Sequence, residues 1–249
     1  MSKSSEFVPR IYRHWIRGTE LASYTVTVKE TDLYIRTVIG LRSKAEKLVL
    51  KYRASLEGYI EKHPEFLTSL VPVDVEKDAP RIVRAMAEVS SKIGVGPMAA
   101  VAGAIAEFVG EELAAYSPEV IIENGGDIYL KSLKDRVIGI YAGNSPLTGK
   151  VGLQIRAADT PVGICTSSGT VGHSLSFGKA DAAITVAKSA TFADAAATAL
   201  GNIVRSENDI ERGIEFAQSI PDLKGVVIII GGKMGMWGNI NICRMQVGE

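Results

Sequence analysis

The chain has 249 residues, enough for one large domain or two small ones, and 46% of them are apolar, so a sizeable core can form. Lysine and arginine balance aspartate and glutamate at 28 each, which argues against nucleic acid as the main partner, because phosphate binding needs a basic surplus. The two cysteines, Cys165 and Cys243, do not form a secreted disulfide framework, so reduced thiols in a cytoplasmic protein are expected.

The first ten residues lack an apolar h-region, so no signal peptide is expected. Apolar runs such as 225–230 are far shorter than the roughly 20 residues that span a bilayer, so no membrane association is expected. Arg10, Tyr12, Arg13, His14, Trp15 and Arg17 form a basic, aromatic arm with two readings: contact with an anion, or aromatic packing on a sheet. Residues 24–28 and 33–38 alternate and are rich in β-branched side chains, which predicts an antiparallel hairpin around the turn 29–32.

Periodicity predicts a helix over 41–62, ended by His63-Pro64, where a cap is the reading for His63. A polar linker over 72–78 follows, and Ala79-Pro80 opens a helix running to residue 93. The next predicted helix, 97–116, is built in its first half from almost nothing larger than valine. Gly103 inside it costs roughly 1 kcal/mol against alanine, so either close packing or a ligand-facing wall should offset that cost.

Short strands are expected at 120–122 and 128–130, flanking Glu123-Asn124-Gly125-Gly126-Asp127, whose glycines allow positive φ. Further strands are expected at 137–142, 152–155 and 162–165, with a loop over 143–150. After 206–219, read as a helix, the apolar run 225–230 reads as a central strand, and 234–243 as one last antiparallel strand. Helices and strands interleave without a regular parallel rhythm, which favours a single α+β domain over 1–249.

The stretch from Cys165 to Asn202 concentrates the chemistry. Asp194, Thr198 and Asn202 recur every fourth residue in an otherwise apolar helix read over 192–204, so they share one face. Asp194, placed in the first turn of that helix, can also complement the helix dipole. A carboxylate and a hydroxyl one turn apart can supply two oxygen ligands to a hard cation such as Mg²⁺. The loop Thr166-Ser167-Ser168-Gly169-Thr170-Val171-Gly172 can offer amides and hydroxyls to an anion, but lacks a Walker ending and the dinucleotide glycine fingerprint. His173 fits a general base, a phosphate contact or a satisfied loop histidine. Cys165, at the loop entrance, fits either an activated thiol or a buried small hydrophobe. The histidines and cysteines are too scattered for a zinc site.

Gly103-Ala104-Ile105-Ala106, Asn124-Gly125-Gly126-Asp127, Thr166-Ser167-Ser168-Gly169 and Ala193-Asp194-Ala195-Ala196-Ala197-Thr198 resemble, in order and spacing, the motifs of ApbE-like proteins. The type members transfer FMN from FAD to a protein threonine with Mg²⁺. The whole chain is more similar still to a cytoplasmic branch of that superfamily without an assigned function. The resemblance implies an α+β, tunnelling-fold-like domain of mixed or antiparallel sheets with packed helices. It implies a flavin-nucleotide pocket, with Gly103, Ala104, Asn124, Gly125, Gly126, Asp127, Thr166, Ser167, Ser168, Gly169 and Thr170 facing the ligand. It carries the metal-ligand role onto Asp194 and Thr198, assisted by a backbone carbonyl from 103–106. His173 and Cys165 are the catalytic candidates that the residues themselves offer.

The chain also departs from the transferases. Only 172–180 stands where they carry a His-Ile-x-Asp-Pro element, and Glu107-Phe108 replaces their Lys-Gly. Three expectations follow. The first is a Mg²⁺-assisted binder of FAD or a related nucleotide, with FMN transfer to a protein acceptor as its reaction. The second is a sulfur-assimilation or homocysteine-forming factor using the Cys165 thiol. The third is a scaffold protein, for which homo-oligomer packing suits the alanine-rich helices.

Overall fold

The computed structural model describes residues 13, 15–16, 20–171 and 177–245. The N-terminal hairpin forms as expected, from β1 (Ala22–Val28) and β2 (Thr31–Thr37), paired antiparallel with Val28 opposite Thr31. Then come α1 (Arg42–Ile60), a short α2 (Glu65–Thr68), α3 (Arg81–Ile93) and α4 (Val101–Leu113). The helix expected over 97–116 is thus two pieces, because Pro97–Ala100 is a tight 3₁₀ turn before α4. His63 fits its reading as a helix-end residue: its amide donates to the Tyr59 carbonyl at 3.0 Å, and its ring stacks on Tyr59.

The second half contributes β3 (Val120–Asn124), β4 (Asp127–Lys131), β5 (Arg136–Gly139), β6 (Val151–Ile155), β7 (Val162–Ser167) and β8 (Ala182–Ala187). It closes with α5 (Ala190–Ile203), α6 (Ile210–Gln218), β9 (Leu223–Ile230), β10 (Lys233–Gly238) and β11 (Asn241–Arg244). Eight strands form one antiparallel sheet in the order β1-β2-β3-β4-β7-β8-β9-β10, and β11-β6-β5 form a second. This is the α+β architecture that the interleaved hairpins predict.

Period-two alternation sorts the side chains into two cores. Val120 and Ile122, Ala183, Ala187, Val226 and Ile228 point to the helices. Ile121, Ile164, Ala182, Ile184, Val186, Val227 and Ile229 point to the small sheet. The large sheet is therefore sandwiched, which explains its continuous apolar runs.

Two strand expectations need correction. The run 225–230 is not central: β9 is second from the edge, and its apolar character comes from burial on both faces. The final strand expected over 234–243 is two, because the chain turns at Gly238 (φ +99°) and β11 joins the other sheet.

Among the described residues no single helix is long and apolar enough to cross a membrane. α3 and the following 97–113 match a span together only by length and composition, and they are bent by 105° at their break.

Candidate functional site

The alanine-rich helix α5 lies against the sheet because its neighbours are small. A Cβ on Gly163 of β7 would collide with the Ala190 backbone, and the Thr185 hydroxyl of β8 donates to the Ala193 carbonyl at 2.6 Å. On its other side α5 packs antiparallel to α4. Thr198 meets Ala99, Asp194 meets Gly103, and Thr191 meets Glu107. Gly103 answers the question its sequence raised. A Cβ there would stand 2.7 Å from the Asp194 Cβ and collide with the Ala190 carbonyl, so its cost is offset by helix–helix contact. Ala104 is fully buried in the helical core. The small-residue face of α4 is thus occupied by α5, where a ligand-facing wall was the alternative.

Each of these two helices has its N-terminus capped by the other. Ala100 leaves α4 without a side-chain cap of its own. The Asp194 carboxylate fills that role, accepting from the Gly103 amide at 2.8 Å and from the Ala102 amide. Glu107 of α4 in turn accepts from the Ser189 hydroxyl at 2.7 Å and from the Thr191 amide at 2.8 Å, at the start of α5. Asp194 does not lie in the first turn of its own helix, as the sequence suggested. α5 begins at Ala190 with Ser189 as its cap, which puts Asp194 in the second turn and its charge on the dipole of α4.

The Asn124–Asp127 turn joins this centre. Gly125 (φ +67°) and Gly126 (φ +110°) reverse the chain between β3 and β4 in a conformation that disfavours other residues. Asn124 Nδ2 donates to the Ala102 carbonyl at 3.0 Å, and the Thr166 amide donates to Asp127 Oδ1 at 3.2 Å. Glu123 braces the turn from behind: one oxygen accepts from the Gly126 amide at 2.9 Å, the other from Arg13 Nε at 2.6 Å. Arg13 also pairs with Asp32 at 3.1 Å, so it ties the β1–β2 hairpin to the Glu123 turn. Trp15 packs its ring on Tyr141, the sheet-packing reading of the arm, while Arg10, Tyr12, His14 and Arg17 lie outside the described residues.

Asp127, Asp194 and Cys165 form the buried heart of the site. Burial pushes Asp127 up to about 7, helped by the Glu123 charge and opposed by the Thr166 amide. Burial also lifts Asp194 well above the usual carboxylate range, and Asp127 adds to it. Cys165 is fully buried, with Sγ 3.3 Å from the Ala190 carbonyl. Its thiol is pushed up by burial and then by both carboxylates. Burial and the raised pKa are what the small-hydrophobe reading of Cys165 leads one to expect, and are the reverse of the low-pKa, accessible thiol that an activated nucleophile needs.

The loop Thr166–Val171 differs from its expectation in one respect. The amides of Thr166, Gly169, Thr170 and Val171 already donate within the protein, to Asp127, the Ala180 carbonyl and, for the last two, Ser168 Oγ. These four amides are therefore not left free for an anion, and the loop's hydroxyls are engaged too: Ser168 Oγ by the two amides and Thr170 Oγ1 by Asp181, with Ser167 Oγ close to Gly201 of α5. Thr170 Oγ1 donates to Asp181 at 3.0 Å, and Asp181 also holds the Gly231 amide at 2.7 Å. No spacing in the sequence marks Asp181; only the fold brings it there. His173 lies outside the described residues.

Asp194 and Thr198 sit one turn apart on α5, and the Thr198 hydroxyl donates to the Ala99 carbonyl at 3.5 Å. Among the described residues no group of three His, Cys, Asp or Glu side chains is arranged to hold a metal ion. The carbonyls of 103–106 lie inside α4, in its helical hydrogen-bond ladder. A separate surface cavity of about 530 Å³ lies among α3, α4 and the start of α5. Arg81, Arg84, Lys92 and Lys188 there balance Glu88, Glu107, Glu111 and Asp222, and of the four motif segments none contributes to it.

A family model described as AbpE bacteria matches residues 13–234. This chain belongs to that ApbE-like family. A UPF0280 protein of Methanocaldococcus jannaschii is 48% identical over 221 residues, covering 86% of this chain and 90% of that protein. Another from Methanocella arvoryzae is 44% identical over 201 residues, covering 80% and 82%. Among solved structures, the flavinyl transferase ApbE of Pseudomonas stutzeri in its apo form superposes with a TM-score of 0.57 at 12% identity, covering 87% of this chain and 94% of that one. The flavin transferase ApbE of Vibrio cholerae gives 0.58 at 12% identity, covering 88% and 96%. At such identities the likeness is one of fold, and the ApbE-like fold is what the four motifs imply.

Proposed function

We propose that this ApbE-like chain binds a flavin nucleotide, FAD in the first instance, together with Mg²⁺, and that FMN transfer to a protein acceptor is the reaction it serves. One observation carries the reading: Asp194 and Thr198 of α5 meet the start of α4 beside Asn124, Asp127 and Thr166, so all four motif segments share one centre. The fold shared with flavin transferases supports it.

In this reading Asp194, Thr198 and the Ala99 carbonyl hold the metal. A carboxylate has about four lone-pair sites, so Asp194 keeps acceptor capacity beyond the amides of α4. When bound, Mg²⁺ supplies positive charge to the pyrophosphate. The hydroxyls of Ser167, Ser168 and Thr170 provide polar contacts at the loop. Asn124 and Asp127 hold the start of α4 and the start of the loop in place, through Ala102 and Thr166.

Calorimetry tests the reading directly. FAD should bind wild type with Mg²⁺ and much less tightly with EDTA. Asp194→Ala should weaken Mg²⁺-dependent binding by roughly tenfold to a hundredfold, the range for losing a residue that supports a metal. Absent FAD binding in wild type, or equal affinity in wild type and Asp194→Ala, would sink it. The alternative of a Cys165 thiol carrier finds no support in a fully buried thiol with a raised pKa.

A further inference from the structure

Asn202 completes the polar line on α5, yet it does a different job from Asp194 and Thr198. Its Oδ1 accepts from the Phe177 amide at 2.9 Å. Around it three glycines stack backbone on backbone. A Cβ on Gly169 would collide with the Gly178 carbonyl, and one on Gly178 would collide with the Gly201 carbonyl of α5. Gly201 closes the ring, since a Cβ there would stand 2.9 Å from Ser167 Oγ. Hydrogen bonds tie the same place together: Gly169 N–H to the Ala180 carbonyl at 2.9 Å, and Lys179 N–H to the Val204 carbonyl at 2.8 Å. Loop entry, the segment leading into β8 and the last turn of α5 therefore meet at one point.

We propose that Asn202, with the Gly169–Gly178–Gly201 stack, is a positioning element that sets the Ser167–Thr170 hydroxyls in register with Asp194 and Thr198. It touches no ligand itself; it acts through the loop. The inference rests on the reading that loop and helix face form one nucleotide site. Its physical basis is independent of that reading, because the contacts exist within the protein alone. Glycine is required for the approach: any side chain at 178 must push the loop off the helix.

The test uses the full chain and two readouts. The first is amide hydrogen exchange at Gly169 and Lys179 without ligand. The second is the affinity for FAD with Mg²⁺. Asn202→Ala should speed exchange at both amides by about five- to tenfold, the worth of one lost hydrogen bond, while β3 and β4 amides stay protected. It should weaken FAD binding by a similar factor. Asn202→Asp keeps an acceptor oxygen for the Phe177 amide and should restore both values. Gly178→Ala should reproduce the Asn202→Ala pattern; if it does not fold, the Asn202 pair decides alone. Unchanged exchange in Asn202→Ala overturns the inference, as does faster exchange with FAD affinity equal to wild type. Should wild type bind no FAD, the functional proposal falls, and the exchange arm still decides whether Asn202 holds the loop.

Discussion

Glu119 stands just before β3 and Asp127 at the start of β4, so the two carboxylates occupy opposite ends of one hairpin. Both are buried, at 5% and 7% exposure, yet their surroundings differ. Glu119 Oε2 accepts from Arg136 at 2.7 Å, from the Ser132 hydroxyl at 2.5 Å and from the Leu133 amide at 3.1 Å. Burial alone would raise its pKa, but the hydroxyl, the guanidinium and the amide outweigh that and hold it below the usual range. Asp127 receives one backbone amide and faces Glu123, Asp194 and a thiol, and burial wins. One end of the hairpin is a closed ion pair that fixes the fold. The other is a pair of buried acids whose ionised forms the nearby groups do not balance. Such an arrangement costs stability, and perturbed acids of this kind cluster at functional sites.

The largest effect should come from breaking the closed end. Arg136→Met leaves Glu119 buried without its cation and should cost about 3–5 kcal/mol in urea unfolding. Asp194→Asn at the open end keeps an acceptor for the Gly103 amide and should stay within about 1 kcal/mol of wild type, measured without metal. If the Asp194 substitution costs as much as the Arg136 one, the two ends are both structural and the contrast fails.

The pH dependence sharpens the same contrast with a smaller signal. Asp127 has a folded pKa near 7 against about 3.9 for an unfolded aspartate. Between those values the folded state keeps a proton that the unfolded state has lost, so unfolding releases it. Stability from this group is complete below about pH 4 and is lost as pH rises through 7, at no more than about 1.4 kcal/mol per pH unit. Glu119 runs the other way: its folded pKa is lowered, so its contribution is present above the unfolded pKa and is lost as pH falls through the folded one. In EDTA, the melting temperature of wild type should fall from pH 4 to about 7 and level off above it, and should fall less for Asp127→Asn. With Mg²⁺ present the decline should shrink, because a bound metal needs the neighbouring Asp194 carboxylate ionised. Parallel profiles for wild type and variant would mean that Asp127 does not hold the proton.

Much of this was legible in the residues, and the limits have physical causes. The four-residue spacing of Asp194, Thr198 and Asn202 marks one face of α5 correctly, because helical period is a local property. The hairpins of β1–β2 and β3–β4 follow from alternation and turn chemistry in the same way. What spacing cannot carry is the partner. Asp194 looks like a complement to its own helix and caps another, ninety-one positions away in the chain. The hydroxyl-rich loop looks like an amide cradle, but Asp127, Ala180 and Ser168 consume its donors. The break at Gly238 that sends β11 to the second sheet leaves no periodic trace, since each half still alternates.

Cys165 gives the smallest expected effect and the closest test of the open end. Burial, and then the charges of Asp127 and Asp194, raise the pKa of its thiol. Cys243 is partly exposed and Cys165 is not. A thiol reagent should therefore label Cys243 in the native protein and reach Cys165 only on unfolding. Cys165→Ala removes one buried sulfur and should cost about 1 kcal/mol, with the cavity term small for so few atoms. It should leave Mg²⁺-dependent FAD affinity within about twofold of wild type, well under the 1.4 kcal/mol that a tenfold change represents. Fast native labelling at Cys165, or a loss of affinity as large as that of Asp194→Ala, would show the thiol to be a working group. The open end would then be a three-member acid site in which the thiol, like the carboxylates, must lose its proton to act.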